Sequence, residues 1–491
     1  MNVRGRPATA LMYGAAAAVV VALHLGTSGN LGFHTDELYY LDAGWHPALG
    51  YVDFPPIVPL LARLETSVLG VTPWALRVLP SLLSGLLVVL FGAYARRLGG
   101  SPAVQAIALV IGIASPYLLA ANWVFQTVTF DQVTWMVALY WFLRVVLDGR
   151  RRHWILLGAT LGVGLEVKYT IAALIAGMAL AVLLAPGLRT RLRTASPWLA
   201  ATIALLVWAP NLAWQIANGF PSLAYVTNHQ GTISAGGGVA SYLEVLGLEL
   251  ALLLPLWVAG LVSLFRSARL RPLAICCAVP LVLFLTSGKG YYAAGTIPIV
   301  MVQGLVALSR LERRRVRAGL QAAVVLACVL DFVLLLQLTL PITSPSELHA
   351  KGLDAQSEVF ADSVGWSDIA AQVAGIYGAL PPSERPGTVI VSRYYGVPGA
   401  VRVYGESRRL PAVVSPQLSD WYWLPPHLAA TGALMIDYRP QDVEWMCDSP
   451  TLVAHLTVPY HVRGLEQGAP VTYCRLKAPI PRIWSHLRDF S

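Results

Sequence analysis

Charge is scarce in this sequence. Asp, Glu, Lys and Arg make up 12% of its 491 residues, about half the share of an ordinary soluble domain, while 56% of the residues are hydrophobic. That balance cannot clothe a water-exposed surface, and it excludes a wholly soluble enzyme. Cysteine is scarce as well: five residues, with no CxxC pair and no zinc-ligand spacing, so neither a zinc ribbon nor a thioredoxin-like redox centre is encoded. No internal repeat is present, which excludes a solenoid, and no low-complexity linker divides the chain. The net charge is +9, yet the basic residues fall in short clusters between apolar runs rather than on one face. That pattern orients membrane loops and excludes nucleic acid as the partner.

What the chain has instead is apolar runs. Eleven candidate membrane spans can be read, at roughly 10–30, 74–95, 103–121, 128–147, 154–167, 169–185, 197–214, 242–265, 272–287, 291–309 and 317–341. The fifth and sixth share an apolar stretch interrupted at Glu166-Val167-Lys168. Membrane helices break where they line a cavity; one long helix with a snorkelling lysine is the plain alternative. With Arg4 and Arg6 in the cytoplasm, the clusters Arg96-Arg97, Arg150 to Arg152, Arg189/Arg191/Arg193, Arg266/Arg269/Arg271 and Arg313 to Arg315 with Arg317 all fall inside. The first run is longer than the apolar core of a cleaved signal peptide. From about Pro345 charged residues return, with strand-like "GTVIVSRYYG" and "GALMIDYRP" and helix-like "SEVFADSVGWSDIAAQVAGIYGAL" and "PPHLAATGA". The expected fold is an α-helical polytopic membrane protein with about 11 transmembrane helices over residues 1–344, first outer loop 31–73, and a C-terminal extracytoplasmic α/β domain over 345–491. Cys276, Cys277 and Cys328 lie in spans as small apolar fillers. Cys447 and Cys474 lie in the outer domain, where a disulfide is permitted.

The first outer loop contains "HTDELYYLDAGWHPALGYVDFPP", residues 34–56, with four carboxylates: Asp36, Glu37, Asp42 and Asp53. Thr35 can cap a helix whose first turn holds Asp36 and Glu37, where the dipole favours anions; a well-made helix start is the plain reading. The rest of the loop argues for more. Tyr39, Tyr40, Trp45 and Tyr51 suit a membrane interface, and Pro55-Pro56 fix a rigid turn beside Asp53. Asp131 sits near the outer end of the fourth span, as a cap or as a functional acid. Lys168 and Tyr169 lie in the outer break "EVKYT", and Lys289 lies between glycines in "SGKGYY", followed by Tyr291 and Tyr292. A lone interfacial lysine usually snorkels. Acids and lysines on one face instead combine a base for a hydroxyl with cations for a phosphate. The stretch "WAPNLAWQIANGFPSLAYVTNHQG", 208–231, with Asn228 and His229, is a lid, an acceptor surface or an ordinary interfacial loop. A transporter or lipid flippase is the competing class, although the paired repeats and midplane charges of transporters are not seen here.

Six segments carry a family resemblance: "TDELYY", "GYVDFPPIVPLLARL", "TFDQVTWMVALYWFL", "LGVGLEVKYT", "PNLAWQIANGFPSL" and "YYGVPGAVRVYG". In order and topology they resemble the membrane GT-C glycosyltransferases of the protein O-mannosyltransferase and lipid A aminoarabinose transferase group. The resemblance implies a polyprenyl-phosphate sugar donor and membrane lipid as partners. It also implies a hydroxyl acceptor and an inverting transfer on the outer face. By position, Asp36 resembles the catalytic base, with Glu37 and Asp53 as supporting acids and Asp131 behind them. Lys168, Tyr169, Lys289 and Tyr292 would meet the donor phosphate; Asn228, His229, Tyr394 and Tyr395 would belong to the acceptor or lid surface. The sequence departs from the pattern at Asp53-Phe54, where many members carry a cation, so Arg63 or Arg77 would have to supply that charge. A divalent metal, Mg or Mn, held by Asp36 and Asp53 would share the phosphate role.

Overall fold

The computed structural model of the chain describes residues 6–235, 238–287, 289–405 and 410–490, with the backbone alone at 6–7 and 229–235. Each of the eleven apolar runs is helical. Among the described residues seven helices are long and apolar enough to cross a membrane. The count rises to nine if each of two bent pairs, Pro102–Ala114 with Pro116–Asn122 and Ile171–Leu184 with Pro186–Arg193, is one span. Length and composition therefore give fewer spans than the eleven expected. The reason is local. Pro116 opens a new helix inside its run and Pro186 opens one just past the end of its run, because proline lacks the N–H that would continue the ladder. Helices Arg151–Leu165 and Arg271–Leu283 have 15 and 13 residues, only about 20 Å of rise each. The break at Glu166 to Lys168 is present: one helix ends at Leu165, the next starts at Ile171, and Lys168 N donates to Gly164 O.

Packing divides the chain into two units, residues 1–27, 77–217 and 229–340 in one and 28–76, 218–228 and 341–491 in the other. The first is a helical bundle. Trp135, Leu139 and Phe142 of helix Thr127–Asp148 are buried in its core. Helices Leu254–Arg266 and Ile297–Ser309 meet backbone to backbone: a Cβ on Gly260 would collide with Val300 O, and one on Gly304 with Leu256 O. Small residues let membrane helices approach in this way. Outwardly the bundle is apolar, with Leu206, Val282 and Leu334 68%, 69% and 69% exposed, an arrangement stable against lipid tails rather than water.

The second unit joins the first loop to the C-terminal residues. The boundary at 344/345 follows chain order; by packing, 28–76 and 218–228 belong with 341–491. Strands β1 (Thr388–Ser392), β2 (Val413–Val414), β3 (Gly432–Ile436), β4 (Cys447–His455) and β5 (Pro470–Leu476) form one sheet in the order β2-β1-β3-β5-β4. β1 is parallel to β2 and β3, and β5 is antiparallel to β3 and β4. β1 and β3 are buried along their whole length, which is why they read as continuous apolar runs instead of alternating ones. "PPHLAATGA" is not a helix: a single turn, Leu428 N to Pro425 O, precedes β3. Pro425 and Pro426 supply no amide donors and hold the preceding backbone extended. Cys447 and Cys474 are joined in a disulfide, and Cys276, Cys277 and Cys328 are buried free thiols.

One carboxyl in this unit opposes its stability. Glu466 is 1% exposed and neither of its carboxyl oxygens has a hydrogen-bond partner. Burial, with Asp437 and Asp362 nearby, pushes it up to about 8. The unfolded chain then releases this proton first. The contribution of the group is intact below the ordinary glutamate range and is lost as pH rises towards 8. Glu466→Gln is expected to raise Tm by a few degrees at pH 8 and to change it far less at pH 5. Thermal unfolding at both values checks this, and an equal shift at the two would contradict it.

Candidate active site

The acids are organised by one short helix, Thr35–Trp45. Its cap is His34, not Thr35 as the sequence suggested. His34 Nδ1 accepts from Asp36 N at 3.1 Å, and Glu37 Oε2 accepts from His34 N at 2.8 Å. This reciprocal box satisfies two amides that a helix start leaves open. It also engages Glu37, which is fully buried at the helix start. Asp36 stays partly exposed, and its Oδ1 accepts the Tyr395 phenol at 2.8 Å. One turn on, Tyr39 donates to Asp53 Oδ1 at 2.9 Å and accepts from Ser419 N at 2.9 Å. The Tyr39 and Tyr395 rings stack with centroids 4.4 Å apart. Two stacked phenols therefore hold the two candidate carboxylates. Burial, with Asp53 and Asp420 near Tyr39 and Asp36 near Tyr395, holds both phenols well above the usual range, so each remains a donor. Gly399 permits the approach: a Cβ there would lie 2.6 Å from Leu38 O of the acid helix.

A second acid pair lies further along. Asp42 is buried, with Arg402 Nη1 and His46 Nδ1 each 3.1 Å from its Oδ1. Asp420 is 3% exposed with no hydrogen-bond partner. Burial, then the Asp42 charge, holds its carboxyl well above the ordinary range. This cluster ties the acid helix to helix Gly396–Tyr404. Arg402, Asp420 and Ser419 were not singled out in the sequence; the acid among aromatics in "SDWYW" was the available signal. The other candidates of this unit lie elsewhere on it. Tyr394 uses its carbonyl to accept from Ser392 Oγ at 2.8 Å. Arg63 Nη1 reaches Gly44 O at 3.4 Å. Asn228 Nδ2 donates to Phe490 O at 3.3 Å. The side chain of His229 lies outside the described residues.

The first unit gathers the cations. Lys168 Nζ lies 5.6 Å from the Tyr291 ring centroid and 5.1 Å from that of Tyr292, and Lys289 Nζ lies 5.7 Å from Tyr292. Both lysines thus converge on one ring. Neither forms an ion pair among the described residues. The Tyr169 hydroxyl instead donates to Asn211 Oδ1 at 2.7 Å and accepts from Gln215 Nε2 at 3.1 Å, which anchors the break to helix Ala195–Ala217. Asp131 Oδ2 accepts from Thr170 Oγ1 at 2.7 Å. Arg77 is fully buried with its guanidinium 4.9 Å over Trp123. Gly290 lets the lysine turn close on its neighbour, since a Cβ there would lie 2.7 Å from Tyr242 O; Gly288 is outside the described residues.

Among the described residues no group of three or more His, Cys, Asp or Glu is placed to hold a metal ion. Asp36 and Asp53 each already accept a phenol through Oδ1.

Residues 53–214 match the family described as dolichyl-phosphate-mannose-protein mannosyltransferase. A search of curated proteins gives no match. Among solved structures, ArnT from Cupriavidus metallidurans bound to undecaprenyl phosphate superposes with TM-score 0.59 at 18% identity, covering 94% of this chain and 97% of that one. The archaeal oligosaccharyltransferase AglB from Archaeoglobus fulgidus, in complex with an inhibitory peptide and a dolichol-phosphate, gives TM-score 0.50 at 13% identity over 89% of this chain and 70% of that one. Arabinofuranosyltransferase AftD from Mycobacteria gives TM-score 0.50 at 17% identity over 94% of this chain and 41% of that one. The chain is a multi-pass helical membrane protein that shares its fold with these GT-C glycosyltransferases, and its residues 53–214 are similar to the mannosyltransferase family.

Proposed function

We propose that the protein transfers a sugar, with inversion, from a polyprenyl-phosphate donor to a hydroxyl acceptor at the outer face of the plasma membrane. One observation carries this reading: two lysines converge on the Tyr292 ring without an ion-pair partner among the described residues. Asp131 offsets part of the Lys168 charge; the two cations otherwise repel unless a further anion joins them, and a lipid phosphate would be that anion, a structure of the same fold being bound to undecaprenyl phosphate. In the mechanism, the acceptor oxygen attacks the anomeric carbon and its proton passes to the Asp36 carboxylate. The bond from that carbon to the phosphate oxygen breaks, and Lys168 and Lys289 stabilise the departing phosphate. The Tyr395 and Tyr39 phenols hold Asp36 and Asp53 in place. Tyr395→Phe keeps the stacked ring but removes the phenol hydrogen bond that orients Asp36. About a tenfold loss in kcat is expected, water replacing part of the bond, with the KM for donor little changed. An unchanged kcat would make Tyr395 a packing residue only.

The arginine clusters support a cytoplasmic N-terminus. Residues 28–76, 218–228 and 341–491 pack as one unit, so they occupy one side of the membrane and an even number of crossings separates each pair. Between 228 and 341, three long spans need helix Arg271–Leu283 as a fourth. Between 76 and 218, three long spans need one or three of the bent pairs and helix Arg151–Leu165. Parity thus supports nine or eleven spans. An impermeant thiol reagent applied outside is expected to label a cysteine placed at Glu347 and not one at Arg193; the reverse pattern would remove the proposed orientation. The function itself is tested by incubating purified protein with a polyprenyl-phosphate sugar. Release of polyprenyl phosphate together with a glycosylated hydroxyl is expected. Movement of intact donor across vesicles without cleavage would favour a flippase.

A further inference from the structure

The parallel strands of the second unit end at a cavity that the transfer chemistry leaves unused. Its volume is about 410 Å³. Its walls come from the residues that leave the three parallel strands: Arg393 after β1, Pro416 after β2 and Tyr438 after β3, with Trp445, His486 and Asp489 at the rim. In the order β2-β1-β3 the chain steps from β1 to one side and then returns to the other, so the connections diverge at the carboxyl ends of the strands. Open α/β sheets bind ligands at such a switch point, and the volume falls within the range of small-molecule sites. Asp437 ends β3 in left-handed backbone, φ 59°, just before Tyr438, whose ring the Arg393 guanidinium overlies at 4.6 Å.

The lining selects the ligand. Arg393 alone would attract an anion, but Asp437 and Asp442 each lie 3.6 Å from its guanidinium, and Asp489 shares the rim. The two carboxylates that pair with Arg393 offset its charge, and Asp489 in the lining disfavours a phosphate while Arg393 disfavours a cation. The lining instead mixes donors and acceptors: a guanidinium, a phenol, an imidazole and a carboxylate. That complements a ring of hydroxyls, each of which both donates and accepts. Trp445 offers a flat apolar face, 50% exposed, at the rim. Burial pushes the Tyr438 phenol up to about 12, which keeps it a neutral donor. The Cys447–Cys474 disulfide begins two residues beyond Trp445 and steadies the rim.

We infer that this cavity binds a neutral carbohydrate. Its use as a seat for an acceptor glycan rests on the transfer reading above; the binding does not. Arg393 stands two positions before Tyr395, the partner of Asp36. The test is saturation-transfer NMR on full-length, detergent-solubilised protein, with linear neutral pentasaccharides of mannose and of glucose as probes. Ring-proton signals from at least one probe are expected. Trp445→Ala should weaken the apparent affinity roughly tenfold or more, and Trp445→Phe should retain part of it. Trp445 is half exposed, so neither change opens a core cavity. Trp74→Ala, at an exposed tryptophan outside the cavity, should leave the signals unchanged. Absence of signal from both probes, persistence of signal in Trp445→Ala, equal loss in Trp74→Ala, or displacement by a sulfated pentasaccharide would each overturn the inference. If wild-type protein shows Trp445-dependent glycan signals but does not cleave a polyprenyl-phosphate sugar, the transfer reading falls and the glycan site stands.

Discussion

Replacing Asp36 by asparagine is expected to slow sugar transfer by roughly 10²–10⁴-fold, the range a positioned general base contributes, while the protein stays folded and keeps its donor. The substitution is informative because of what the structure assigns to the neighbours. Capping falls to His34 and Glu37, so Asp36 is not needed to start its helix. Its Oδ1 accepts one phenol hydrogen bond, from Tyr395 at 2.8 Å. Asparagine keeps an acceptor for that phenol and nearly the same shape, but it cannot take a proton from an attacking hydroxyl. A merely structural Asp36 would tolerate the change almost silently. Near-normal transfer by a well-folded Asp36→Asn protein would therefore remove the base mechanism, whereas retained donor binding with lost turnover would support it.

Lys168→Ala is expected to reduce donor turnover by about 10–150-fold, corresponding to the roughly 1.5–3 kcal/mol of a hydrogen bond to a charged group. Lys168 is chosen over Lys289 because its ammonium faces two rings, Tyr291 and Tyr292, and Lys289 faces one. Its backbone is also pinned at the helix break by the bond from Lys168 N to Gly164 O at 2.9 Å, so a neighbour cannot easily take its place. Lys168→Arg keeps the charge and should recover part of the loss. A snorkelling lysine would show neither effect. Initial rates at donor concentrations well below saturation distinguish the two, since unchanged rates in Lys168→Ala would exclude a phosphate contact.

Much of the fold was legible because it follows from local chemistry. Apolar runs with arginine clusters at their inner ends marked the long helices of the bundle, and the helix interruption at Glu166 to Lys168 showed as charge inside an apolar stretch. β1 and β3 showed as continuous apolar strands because both faces are covered. The candidate lysines and carboxylates could be named because ionisable groups are rare in so apolar a chain. The span count needs more than hydropathy. A helix of 13 residues such as Arg271–Leu283 is apolar but short for a bilayer, and it is the packing of the second unit that argues for counting it as a crossing.

The tertiary structure alone decided which acids have which partners. Glu37 and Asp36 are adjacent and chemically alike, yet one closes a capping box and the other meets Tyr395, 359 positions away. No local pattern encodes that contact. It depends on Gly399 letting one helix backbone approach Leu38 of another. Sequence fixes which residues can ionise, donate or span a membrane, because those are properties of each side chain and its near neighbours. Long-range packing decides where each one ends, because burial, hydrogen-bond partners and the meeting of distant segments exist only once the chain has closed on itself.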